Sequence, residues 1–100
     1  MVIVAGTIKI DPSKRSVLEA AFDRMREATL KERGCLHYQA YFDRSEPGTL
    51  LIFEKWESEE ALNAHFVTPH MAEFGLALGG ADILGTDVKK FVVSSESKLM

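Results

Sequence analysis

Runs of alternating apolar residues, separated by two helical regions in the order β-α-β-β-α-β, predict an α+β domain built on one antiparallel sheet. Three observations carry that prediction. The N-terminal run is alternating and β-branched, a long amphipathic stretch follows and closes at Gly34, and two further strand-like runs flank the turn residues Ser45-Glu46-Pro47-Gly48.

Each element has its own signal. Val2 to Ile10 alternates as a strand, and Asp11-Pro12 stops it and opens a helix, proline being suited to the first helical position. Leu18, Ala21, Phe22, Met25, Ala28 and Thr29 then form one apolar stripe. Lys14, Arg15, Arg24, Lys31 and Glu32 fall largely elsewhere, so the helix is expected to run to Arg33, with Gly34 as a left-handed cap. Cys35 to Asp43 and Leu50 to Trp56 read as a hairpin. Ser58 is a natural N-cap, with Glu59 and Glu60 favouring the positive start of the helix it opens. Thr68-Pro69 breaks that helical region, because proline removes a donor while Thr68 caps a new start. Pro69 to Leu78 is therefore a separate segment, ended by Gly79-Gly80. Ile83 to Val93 supplies the last strand, with a bend expected at Gly85.

This order is the split β-α-β, ferredoxin-like arrangement: a four-stranded antiparallel sheet with the helices on one face. Residues 1–93 form the domain and 94–100 a C-terminal tail. Strict alternation puts Leu36, Tyr38, Ala40 and Phe42 on one face of the second strand, and Cys35, His37, Gln39 and Tyr41 on the other. In the third strand Leu50, Ile52, Glu54 and Trp56 oppose Leu51, Phe53, Lys55 and Glu57. Bulky apolar groups on both faces predict that a second subunit covers the helix-free face.

Composition narrows the function classes. The chain has 100 residues, 46 % apolar and 27 % charged, which is one globular domain. With a formal net charge of -3 and scattered basic residues, nucleic acid is not an expected partner. The single cysteine, Cys35, excludes an internal disulfide and any multi-cysteine metal site, and reads as a small buried hydrophobe at a strand start. Met1 to Gly6 lacks a basic leader and no run is long enough to span a bilayer, so the expected location is the cytoplasm, away from membranes. No ligand cluster or glycine-rich phosphate loop is evident in the spacing, so no metal or cofactor is expected.

The most informative stretch runs from Glu54 to His70. Ala61, Leu62, His65 and Phe66 share one helical face just after the strand that carries Trp56, aiming the His65 imidazole at the core or at a cavity within it. A titratable group on such an apolar wall is either a hydrogen-bonded core histidine or the acid–base residue of a pocket. His70 sits in the first turn after Pro69, where a hydrogen-bonded or solvent-facing role is the plainer reading. Glu54 shares the strand face of Trp56, either orienting His65 or forming a rim salt bridge. Tyr38, Phe66 and Phe74 serve equally as core or as pocket walls. His37 and Tyr41 face away from Tyr38 and belong to an interface or the surface.

Gly34-Cys35-Leu36-x-Tyr38, the strand end Glu54-x-Trp56, and Ala61-Leu62-x-x-His65 followed by Thr68-x-His70 resemble, in order and spacing, the antibiotic biosynthesis monooxygenase family. The resemblance covers nearly the whole chain. It implies a homodimeric α+β barrel with a small pocket between sheet and helices in each subunit. The activity it implies is a cofactor-independent oxidation of a small quinol or phenolic substrate by dioxygen. His65 would then be the base, and Trp56, Tyr38, Phe66, Phe74, Glu54 and His70 would bind substrate. Relatives include isomerases and haem degraders, and a non-enzymatic ligand-binding or stress-associated role fits the same pocket. The haem-degrading branch places asparagine on the first strand and tryptophan at the position of His65; this chain has neither, which argues against haem degradation.

Overall fold

The computed structural model describes residues 1–100. The chain folds as β1 (Val2–Ile10), a 3₁₀ turn (Pro12–Lys14), α1 (Arg15–Thr29), β2 (Cys35–Phe42), β3 (Thr49–Trp56), α2 (Glu59–Phe66), α3 (Pro69–Gly79) and β4 (Ile83–Val92). The strands form one sheet in the order β2-β3-β1-β4, with every neighbouring pair antiparallel. This is the expected ferredoxin-like α+β fold, and the predicted element order is correct throughout. No helix is long and apolar enough to cross a membrane.

Local chemistry sets most of the boundaries. Asp11 accepts the Ser13 N–H at 2.9 Å and opens the 3₁₀ turn. Ser58 caps α2 through the Ala61 N–H at 3.2 Å, and Thr68 caps α3 through the Met71 N–H at 3.3 Å. Thr68 also donates its hydroxyl to the His65 carbonyl at 2.8 Å, so one side chain ends α2 and starts α3. Near the start of β4 the pairing register with β1 slips between Lys9 and Ile10, which are opposite Gly85 and Ile83; the irregularity falls at the bend expected there.

The core lies between the helices and the inner face of the sheet. Val2, Ile8 and Ile10 of β1 and Leu50, Ile52 and Trp56 of β3 pack with Leu18, Phe22 and Met25 of α1, Leu62 of α2 and Phe74 of α3. Trp56 has no solvent exposure. Truncating a side chain of that size in a closed core costs about 3–5 kcal/mol.

Two expectations need correction. First, α1 ends at Thr29, not Arg33, because the apolar stripe ends there and Lys31-Glu32-Arg33 offer nothing further to bury. The chain turns instead, with the Glu32 N–H on the Thr29 carbonyl at 2.9 Å, and Gly34 (φ +87°) closes that turn rather than the helix. Second, the β2–β3 register shifts between Cys35, paired with Trp56, and His37, paired with Lys55. Leu36 is the extra residue, and the bulge breaks the alternation assumed for it. Leu36 is 52 % exposed and lies with His37, Tyr41, Leu51 and Phe53 on the outer face, while Cys35 packs against the core.

Gly34 combines a left-handed backbone with a close approach: a Cβ there would lie 2.6 Å from the Cβ of Ala61. Gly34→Ala is therefore expected to lower the unfolding free energy by about 1–3 kcal/mol in urea titration. Gly75→Ala, in the middle of α3 with open space around it, is expected to raise it by about 0.5–1 kcal/mol.

Candidate active site

The pleat of β3 puts two functional side chains side by side on its inner face. Residues two apart point the same way, so Glu54 follows Ile52 and precedes Trp56 toward the helices. The Trp56 indole N–H donates to Glu54 Oε1 at 2.9 Å, and both residues are buried. Burial pushes the Glu54 carboxyl up to about 7, the Trp56 hydrogen bond opposing and the Glu32 charge adding to the shift.

Aromatic rings surround this pair. Tyr38 stacks on Phe22 with centroids 5.5 Å apart, and stands edge-on to Trp56 at 6.5 Å and to His65 at 5.4 Å. Its hydroxyl is held well above the usual phenol range, chiefly by burial and then by the Glu54 charge, so it remains a hydrogen-bond donor. His65 lies 4.9 Å from Trp56, centroid to centroid.

His65 is 1 % exposed, and its Nδ1 lies 2.7 Å from Glu32 Oε2. The same oxygen lies 2.8 Å from His70 Nε2. An ionised carboxylate only accepts, so each ring turns an N–H toward it. In a neutral ring that arrangement leaves the lone pair of His65 on Nε2, the ring atom with no hydrogen bond in the fold. Glu32 was not among the residues singled out from the sequence. Read as helix, it fell on the solvated side of α1; the early end of α1 swings it into the turn that faces α2 and α3. Glu32, His65 and His70 bring one carboxylate oxygen and two imidazole nitrogens within 4.8 Å of one another.

A cavity of about 410 Å³ lies between sheet and helices. Its sheet side includes Val4, Ile8, Tyr38, Ile52, Glu54 and Val88, and its helix side Met25, Leu62, Phe66, Met71 and Phe74. The lining is mostly apolar, and exposed Phe66 and Lys90 bring it to solvent. Lys89 and Lys90 are its cationic groups, and each is paired, with Asp87 and with Glu59 respectively. Of the residues expected at the site, Tyr38, Glu54, Phe66 and Phe74 line the cavity. Trp56 and His65 stand one layer behind, against Tyr38, and His70 lines a smaller cleft of about 110 Å³ beside Phe74. His37 and Tyr41 bond to each other at 3.2 Å on the outer face, away from this site.

Cys35 is partly buried, and burial, with the charges of Glu32 and Glu54, pushes its thiol up to about 11. It is a packing residue, not an activated nucleophile.

Known proteins share this fold and resemble the chain in sequence. The crystal structure of a "putative antibiotic biosynthesis monooxygenase" from Deinococcus radiodurans superposes with a TM-score of 0.91, covering 100 % of this chain and 99 % of that one at 27 % identity. The chain is 29 % identical over 99 residues to the "Probable quinol monooxygenase YgiN" of Escherichia coli K12, covering 89 % of this chain and 94 % of that protein. It is 38 % identical over 73 residues to the uncharacterized protein sll1783 of Synechocystis, covering 73 % of this chain but spanning only 50 % of that relative's length. The sequence profile described as "Antibiotic biosynthesis monooxygenase" matches residues 1–75, and the chain belongs to that family.

Proposed function

We propose that this protein is a monooxygenase that oxidises a small quinol or phenolic ring with dioxygen, needing no metal or flavin. The observation that carries the reading is the apolar cavity with one ionisable carboxyl, Glu54, on its wall. An apolar cavity of roughly 150 Å³ holds a benzene ring, so about 410 Å³ has room for a larger aromatic substrate.

The chemistry closes on the substrate and oxygen alone. Glu54 takes the phenolic proton, and the electron-rich anion reduces dioxygen. One oxygen atom forms a C–O bond and the other leaves as water. A quinol oxidised to a hydroxyquinone supplies all the electrons, so no external reductant enters. The chain would have to supply a base with a pKa near the working pH, aromatic walls, and a donor for the developing oxyanion, here Tyr38. The same fold supports a second reading of the base. Glu32 on Nδ1 leaves His65 Nε2 as a free acceptor, the relation a carboxylate has to a histidine base in hydrolytic triads.

Apolar residues on the outer face of the sheet support a homodimer. Leu36, Tyr41, Leu51 and Phe91 are each at least 40 % exposed there, and Phe53 lies among them. Sedimentation velocity at micromolar concentration is expected to give a dimer; a clean monomer would remove the barrel assembly.

Glu54 makes the pH test sharp. If it is the base, kcat/KM for a quinol, followed with an oxygen electrode, rises as pH increases through about 7. Glu54→Gln, which keeps an acceptor for the Trp56 indole, is expected to lower turnover by about 10²-fold or more. The stability trend has the opposite sign. The folded carboxyl binds its proton more tightly than the unfolded one, so stability falls as pH rises from about 4.5 to about 7, and Glu54→Gln flattens that fall. Oxygen uptake at background while a quinol still quenches Trp56 would favour the ligand-binding role instead.

His65→Ala separates the two bases. Its loss removes a buried ring and one of the two partners of Glu32 Oε2, and is expected to cost about 1–3 kcal/mol of stability in thermal unfolding. If Glu54 is the base, oxygen uptake per folded molecule stays within tenfold of the parent. A fall of about 10²-fold in a folded variant transfers the role to His65.

A further inference from the structure

We infer that Glu32, His65 and His70 form a binding site for a divalent transition-metal ion. Three separate elements supply the ligands: the turn after α1, the last turn of α2 and the first turn of α3. The helix break is what brings the two histidines together. In a continuous helix, residues five apart point about 140° from one another. The break at Thr68 and Pro69 turns His70 back, so that both rings reach the same carboxylate oxygen, at 2.7 and 2.8 Å.

The donor set selects the ion. Two imidazole nitrogens and one carboxylate oxygen suit zinc and its neighbours in the first transition row, and do not suit magnesium or calcium, which take oxygen ligands. Three protein ligands also leave one tetrahedral position for water or another small ligand. Without metal, two N–H groups converge on Glu32 Oε2, so an ion would replace two protons at atoms already gathered. For bonds of about 2.0–2.1 Å the ligand atoms must stand about 3.3 Å apart, so the two hydrogen-bond distances open by about half an ångström. Glu32 lies in a turn and its side chain is 14 % exposed, and that of His70 is 21 % exposed; both have freedom that His65, at 1 %, lacks.

Occupancy would reach the large cavity through the backbone. His65 is followed by Phe66 and His70 by Met71, and both neighbours line it. An ion tying both histidines to the α1–β2 turn would stiffen that wall. This inference concerns binding alone: an ion on His65 Nδ1 puts the ring proton on Nε2, so it is compatible with Glu54 as the base and excludes His65 while the ion is bound.

The test uses the full-length chain, stripped with chelator and titrated with Co(II). One equivalent is expected to give visible d–d absorption of a four- or five-coordinate ion and to quench Trp56, whose ring is 4.9 Å from that of His65. Zn(II) should displace the cobalt and raise the melting temperature. His70→Ala, which removes a partly exposed ligand, should weaken Co(II) binding at least tenfold, and Glu32→Gln likewise, with the native fold checked by circular dichroism. His37→Ala, on the outer face, should leave binding unchanged. Absence of the cobalt band at millimolar Co(II), equal affinity in a folded His70→Ala protein, or loss of binding in His37→Ala would each overturn the assignment.

Discussion

A carboxyl group held inside an aromatic core organises this molecule. The alternation of β3 leaves Glu54 no way to face outward without also turning out Ile52 and Trp56. It therefore stays in, bonded to the indole beside it at 2.9 Å. Trp56 in turn is wedged between Tyr38 and His65, which lie on different elements, so the polar pair is locked by apolar packing. Burying such a group costs stability and yields a side chain that changes protonation near neutral pH, a combination more typical of working sites than of plain cores.

The helical side of the site depends on where helices stop. α1 gives way to a turn once its apolar stripe is exhausted, and α2 gives way to α3 where Thr68 caps and Pro69 cannot donate. These two interruptions place Glu32 against His65 and His70. Had either helix continued, the three groups would not meet. The interior of the fold is thus set by the sheet and its polar contacts by helix ends.

Much of this was legible in the sequence. Strand periodicity, the Ser58 and Thr68 caps and the Pro69 break located the elements, because each has a short-range cause. The alternation of β3 likewise placed Glu54 and Trp56 on one face. Glu32 was not legible, since its partners lie 33 and 38 residues away and its own neighbourhood reads as a solvated helix surface. Leu36 escaped for a related reason: a one-residue bulge is decided by pairing across β3, and alternation within β2 carries no trace of it. The division of site residues between the cavity wall and the layer behind it also follows from tertiary packing, which spacing along the chain does not encode.

The environment of Cys35 bears on how the chain resists oxidation. Oxidative damage to cysteine proceeds through the thiolate, and a thiol with a pKa of about 11 exposes roughly one thiolate in 10⁴ molecules at neutral pH. Burial is the main cause of that suppression, and the charges of Glu32 and Glu54, the same groups that shape the site, add to it. An oxidant reaching Cys35 would meet a sulfur atom with little nucleophilic character, so burial, helped by the acidic groups of the site, protects the chain's only thiol.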